Sequence, residues 1–536
     1  MKYLTISLIA LMLLASCITK QEREPFKLHS DNGDGTYTNP VIAADYPDPD
    51  VIKVGDTYYF VSTTMFVFPG VTILKSKDLV NWEYASNAVP RFDFSECYNL
   101  DGCNRYRHGQ WATSLKYHND KFHLLFITLD EGGFYLTADK AEGPWVINHL
   151  PKGFYDPGLF FDDDGRIYVS HGYGEISITE VNEDLEPISE DSLVFTGDIR
   201  GGLEGMHVYK INDYYYLYGT YGGLDGFQVA LRSKNIYGPY EQNIAIRDTT
   251  YGTNFGIHQG ALIETQAGEW WTMLFVDNGP FGRFPSLQPV TWVDDWPIVG
   301  VDGKAVTTHK KPNVAAVHPT LTLPTSDEFE EAHMGMQWGW NHNPVSEKWS
   351  LTEKPGYLRL HTATVTDDFK MAQNTLTQRM FAYYNDSTYT LGTTKLDISN
   401  MKEGDVAGLA VFQDPYGYIG VKMADGNKKI VMVNDGEQIA TTDLADDVST
   451  IYFRSNPLFG SGAAPMYGGN SDPNSGTASF FYSVDGEEFT KLGNTLNMRF
   501  SLTVFTGNKF CLFNYATEEL GGYVDFDWFR MQPSNL

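Results

Sequence analysis

Basic residues are scarce in this chain relative to acidic ones. It carries 39 Lys and Arg against 68 Asp and Glu, a formal net charge of −29 over 536 residues. Phosphate-binding partners require basic patches, so nucleic acid is excluded as a partner. Four cysteines are present and no Cys/His spacing suggests zinc. No long amphipathic helical pattern occurs, and the alternation of apolar and polar residues with many Tyr, Trp and Gly reads as all-β. The apolar run Leu4 to Leu14 is too short for a permanent membrane span. Asp162-Asp163-Asp164-Gly165 lacks the spacing and closing Glu of an EF-hand and reads as a β-turn.

What is present is a repeat. Tyr155 to Gly174 runs as an acid, a short apolar strand, a Gly-containing turn and an aromatic-rich returning strand, the pattern of a hairpin. The same plan starts at Asp48, Trp111, Asp156, Glu204 and His258, with apolar Ile52, Leu115, Phe160, Val208 and Leu262 four residues further on. Tyr58, Phe122, Ile167, Tyr215 and Trp270 mark the returning strands. The repeats lie roughly 45 to 63 residues apart, the length of a four-stranded propeller blade. Five such sheets around an axis bring the five leading residues to one mouth of a central channel. Three of them are acids. Each alone is explained as a turn or cap residue, but carboxylates crowded around one axis repel, and a fold avoids that without a use for it.

The chain is too long for one core. Lys2, the apolar run and Leu14-Ala15-Ser16-Cys17 resemble a bacterial lipobox, with Cys17 becoming the lipidated N-terminus; a plain signal peptide is the alternative. The expected order is a leader over 1–17, a tether over 18–36, a five-bladed β-propeller over 37–311, a linker over 312–325 and a β-sandwich over 326–536. Ser455 to Thr477 reads as a Gly- and Ser-rich loop. Cys97 and Cys103 either pair in an oxidising compartment or stand as two thiols, and Cys511 reads as a buried small residue. The acidic, aromatic-rich composition suits a neutral ligand such as carbohydrate, although acidity that only keeps an exported protein soluble is an equal reading.

Pro47-Asp48-Pro49-Asp50-Val51, Asp156-Pro157-Gly158-Leu159-Phe160 and Glu204-Gly205-Met206-His207-Val208-Tyr209-Lys210 occur in that order on this fivefold repeat. Together with His258-Gln259-Gly260 and Gly282 to Pro289 they resemble glycoside hydrolase family 43. Gln337 to Pro344 and Pro355 to Leu360 resemble the concanavalin-like C-terminal sandwich of its β-xylosidase and α-L-arabinofuranosidase branch.

The resemblance implies an exo-acting, inverting glycosidase needing no cofactor for catalysis. In it Asp48 is the general base, Glu204 the general acid, and Asp156 an ionised modulator that keeps Glu204 protonated and oriented. Asp50 is a rival base. The resemblance also implies that Trp111 stacks on a sugar, with a core Trp as the alternative. Arg283 would reach a substrate hydroxyl or the modulating Asp. Met65, where relatives often carry an aromatic, and Phe68 would lie beside the terminal sugar. His258 would contact substrate or a central ion, commonly calcium, unless its imidazole is satisfied by neighbours. Asp327 and Asp527 match positions of a structural calcium, with turn and strand-end acids as the other reading. Trp338 and Trp340 would line a sugar-binding face or belong to the core. The expected substrate is a hemicellulose oligosaccharide (xyloglucan, arabinoxylan or arabinan) losing terminal α-L-arabinofuranosyl units, with β-xylosidase action as the alternative. A non-catalytic carbohydrate-binding lipoprotein is the competing class. Export to the periplasmic side of the outer membrane, held by Cys17, is preferred to the cell surface.

Overall fold

The computed structural model describes residues 28–223, 225–249, 255–314, 318–382, 390–458 and 476–533. The leader with Cys17, and residues 459–475 of the expected Gly-rich loop, lie outside the described residues. The strands flanking that loop reach further than its composition suggested, since Ser455 pairs with Phe480 and Leu458 with Thr477.

The first part of the chain forms five antiparallel four-stranded sheets, each from one contiguous stretch. Their first strands are Asp50–Val54, Ser114–His118, Gly158–Phe161, Leu203–Ile211 and Ile257–Glu264. Each first strand touches the first strands of both neighbouring blades, which closes a ring about the axis. Between blades the faces bury apolar side chains. Val61 and Ile73 of the first blade meet Leu115, Phe122 and Leu124 of the second in one cluster, and each fully buried side chain of this size contributes roughly 1.5–3 kcal/mol.

Closure of the ring uses residues assigned above to the tether. Thr36–Thr38 pairs with Thr308–Lys310, and Asn39 Nδ2 donates to the Leu287 carbonyl at 2.8 Å. Ser30 and Asp31 are buried, and Asp31 accepts from Asn81 at 2.9 Å and Lys311 at 2.8 Å. A polar stretch therefore packs from Ser30 onward because its polar groups find partners on the propeller.

The C-terminal part is a two-sheet sandwich. One sheet runs Glu437–Asp443, Asn427–Asn434, Gly417–Ala424, Asp405–Phe412, Lys509–Ala516, Leu376–Arg379 and Trp338–Asn341, and ends on Val67–Phe68 from the propeller. Phe68 pairs with Trp340, is buried, and stacks on Phe92 at 5.7 Å. This corrects the expectation that Phe68 meets sugar: it belongs to the seam between the two domains. Met65 lies in the same seam. It is buried, exchanges backbone hydrogen bonds with Gln110, and packs in a cluster with Phe66, Tyr106 and Phe513 that supports Trp111 and Phe505 from behind.

Trp338 and Trp340 are core residues, both buried, with Trp340 against Trp349 at 5.2 Å. The calcium expectation at Asp327 and Asp527 is also corrected. Asp327 accepts from the Trp338 indole at 2.8 Å, the Gln337 amide at 3.2 Å and the Phe329 backbone at 2.8 Å. Asp527 pairs with Lys395 at 2.6 Å. Both carboxylates are occupied by N–H donors or a cation, the opposite of a ligand set awaiting a metal. Cys97 and Cys103 form a disulfide and Cys511 is buried.

Candidate active site

One cavity of ≈ 410 Å³ opens at the axial mouth. Asp48, Asp156 and Glu204 line it together with Trp111, Tyr155, Tyr173, Arg107, Gln259 and Arg283. Gly201, Gly202, Gly222 and Gly223 form part of its rim, and Leu502 and Phe505 enter from the sandwich.

The blades present the acids in two ways. Asp48 and Asp156 sit two residues before the first strands of their blades, with φ of 54° and 48°. Asp tolerates the left-handed region better than most residues, yet each such position costs on the order of 1 kcal/mol, strain typical of functional sites. Glu204 instead lies inside its strand, paired with Thr220, and a bulge follows between Glu204 and His207 where Gly205 has φ 65°. The bulge breaks the alternation and turns the acid to the mouth. A Cβ on Gly222 would stand 2.6 Å from Glu204 Oε1, so a side chain there would push the carboxylate from its place.

The fifth blade carries the same bulge, between His258 and Gly260, with Gln259 at φ 51°. It exchanges the two side chains: Gln259 lines the cavity, while His258 is buried against Phe275 at 4.6 Å. His258 as a substrate contact is thereby corrected. Its Nε2 lies 3.7 Å from Asp277 Oδ2, and both ring nitrogens and both Asp277 oxygens are buried without a hydrogen-bond partner. These four polar atoms fit a buried water or a hydrated cation, which His258 and Asp277 would hold; among the described residues no three His, Cys, Asp or Glu side chains converge on a metal position. The chemistry of the three acids needs no such group. Asp50, the rival base, is fully buried and accepts from the Leu115 backbone at 2.7 Å and from Lys116 at 3.2 Å. It holds adjoining first strands together and does not face the cavity.

Asp48 Oδ1 accepts from Arg283 Nη1 at 3.0 Å in a buried ion pair, and the Arg283 charge acts on Asp156 as well. Glu204 Oε2 accepts from Tyr155 Oη at 3.2 Å. Burial, and next the charge of Asp48, push Glu204 up to about 7, against the opposing hydrogen bond from Tyr155 and the charge of Arg283. Asp156 is also pushed well above the usual carboxylate range, first by burial, then by Glu204 and Asp48. The Glu204 charge is among the causes that raise Asp156, so the two acids are electrostatically linked, as a modulator beside an acid requires. Trp111 lies against Phe505 at 5.2 Å and Tyr155 at 6.0 Å, with its Nε1 donating to the Arg107 carbonyl at 2.7 Å.

Tyr155 and Gln259 adjoin residues singled out in the sequence, and the bulge explains Gln259. Leu502 and Phe505 carried no signal, because they are delivered by another domain.

A propeller mouth that gathers a cation-paired carboxylate, a proton-holding acid and stacking aromatics is the site of a glycoside hydrolase. The model for glycosyl hydrolases family 43 matches residues 37–297, and that for the beta xylosidase C-terminal concanavalin A-like domain matches residues 326–532. A beta-xylosidase of Formosa agariphila is 33% identical over 98% of this chain and 97% of its own. A non-reducing end alpha-L-arabinofuranosidase of Bacteroides ovatus is 30% identical over 74% of this chain and 78% of its own. The solved structure of a bifunctional GH43-CE protein of Bacteroides eggerthii superposes with a TM-score of 0.83 at 37% identity, over 93% of this chain and 64% of that one. The chain belongs to glycoside hydrolase family 43, and its substrates are carbohydrates.

Proposed function

We propose that the protein is an exo-acting, inverting glycosidase that removes one pentosyl unit from the non-reducing end of hemicellulose-derived oligosaccharides. The observation that carries this reading is the cavity that Asp48, Asp156 and Glu204 share, lined also by Leu502 and Phe505 of the sandwich. Sandwich side chains at the propeller mouth favour a pocket that takes a chain end over a groove that lets a polymer run through.

Asp48 takes a proton from a water whose oxygen bonds to the anomeric carbon. The bond from that carbon to the leaving oxygen breaks, and Glu204 gives the leaving oxygen its proton. Arg283 holds Asp48 in position, and Asp156 is the modulator that orients Glu204 and favours its protonated form. In an inverting enzyme the two working carboxyls stand about 6.5–9.5 Å apart to admit the water.

For the sugar, β-D-xylosyl takes precedence over the α-L-arabinofuranosyl reading drawn from the sequence. The relative named a beta-xylosidase matches over 98% of this chain and the one named an arabinofuranosidase over 74%. The arabinofuranosyl reading stays as the second, on the strength of that second relative. Incubation with p-nitrophenyl β-D-xyloside and α-L-arabinofuranoside, then with defined xylo- and arabino-oligosaccharides, tests both. Release of single xylose units from chain ends is expected. Release from neither aryl glycoside, with glycan retained on the protein, would favour a binding lipoprotein. Anchoring through Cys17 is part of the proposal and rests on the leader sequence alone; labelled palmitate should enter the wild type and not Cys17→Ala.

A further inference from the structure

The flank of the cavity around Asp48 is held by a residue that does not line it. We propose that Asp45 is a positioning residue for the reaction, tying the sandwich loop that walls the cavity to the arginine that pairs with Asp48. The side chain of Asp45 is buried. Its Oδ1 accepts the backbone N–H of Arg283 at 2.9 Å, and its Oδ2 accepts the backbone N–H of Gly507 at 2.7 Å. One carboxylate thus binds a peptide of the propeller's fifth blade and a peptide of the sandwich at once.

Both bonds lie next to working side chains. Arg283 is itself the cation on Asp48. Gly507 is two residues from Phe505, whose ring lies 4.9 Å from the Arg283 guanidinium and which stands at φ 62°. Phe505, Arg283 and Asp48 therefore form a stack fixed from behind at a single point. Neighbouring contacts hold that point still. The Arg283 carbonyl accepts from the Tyr46 backbone at 3.0 Å, and the Asp45 carbonyl accepts from Arg379 Nε at 2.8 Å. Lys509 Nζ, 3.8 Å away, supplies a countercharge. At Gly282 a Cβ would stand 2.3 Å from Asp45 Oδ1, and at Gly507 it would stand 2.3 Å from the Phe281 carbonyl. Side chains are kept off both approaches, so the two loops close on the carboxylate.

A seam residue that only glued the domains would have no reason to bond next to the base's partner and the cavity wall together. Charge-assisted bonds to backbone N–H groups are strong and directional, and misplacement by about 1 Å at such a site costs about a hundredfold in rate.

Asn offers one acceptor oxygen where Asp offers two. Asp45→Asn in a Lys509→Met background breaks one of the two bonds while the buried charges stay balanced. Relative to the wild type, whose buried net charge the double variant keeps, kcat/KM on p-nitrophenyl β-D-xyloside is expected to fall about tenfold to a hundredfold, in protein that is folded by near-UV circular dichroism, and Lys509→Met alone is assayed as the control. In a Phe505→Ala background the same change should cost much less, because the two residues act through one stack. Unchanged kinetics, or losses that multiply in full, would overturn the proposal. If the double variant does not accumulate, Asp45→Asn with Lys509 retained is assayed in the same way. The inference rests on Asp48 as the base, which Asp48→Asn tests separately: activity retained there sinks the base, whereas indifference to Asp45 sinks only the tie.

Discussion

The two flanks of the cavity are built differently. Around Asp48 the side chains are closely packed: Arg283 is 5% exposed, Phe505 lies over its guanidinium, and Asp45 binds the backbone behind. Around Glu204 the rim is glycine on two sides, and Tyr173 is 63% exposed beside it. Among the described residues the acid has one hydrogen-bonding side-chain partner, Tyr155. This contrast matches the different tasks of base and acid in a single displacement. The base must hold one water in one place, while the acid must serve leaving groups that differ in length.

The largest effect is expected from the packed flank. Asp48→Asn should lower kcat about 10³-fold or more on every substrate, because water activation does not depend on the leaving group; steady-state kinetics on aryl and natural glycosides measure this. On the open flank the loss should depend on substrate. Glu204→Gln should abolish turnover of xylo-oligosaccharides while p-nitrophenyl glycosides, whose leaving group needs little protonation, lose much less. Equal losses on both would remove Glu204 from the acid role.

Phe505→Ala should raise KM about tenfold by opening the wall and releasing Arg283 from its cation–π contact, with a smaller change in kcat. Activity should fall as pH rises through about 7, where Glu204 loses the proton it must donate. The Tyr155 hydrogen bond stabilises the Glu204 carboxylate, so Tyr155→Phe should move that alkaline limb upward by less than about one pH unit. A downward shift in the pH profile would contradict this arrangement.

The repeat made much of the propeller legible. Asp48, Asp156 and Glu204 recur at one position of one hairpin, and the axis gathers them from distant parts of the chain. What stayed illegible has local causes. A bulge at Gln259 moved His258 out of the cavity, and no period-two pattern reveals a one-residue insertion of that kind. Phe68 and Met65 read as pocket residues through the family resemblance, yet the chain there leaves the blade to pair with Trp340. Phe505 and Asp45 acquire their roles only when the sandwich docks, which depends on surfaces more than 450 residues apart in the chain.

The account turns on a water that attacks from the Asp48 side, opposite a leaving oxygen protonated by Glu204. Proton NMR of a β-D-xyloside during the first turnovers tests this most directly. The account predicts that α-xylose appears first and β-xylose only later by mutarotation; β-xylose as the first-formed anomer would contradict it.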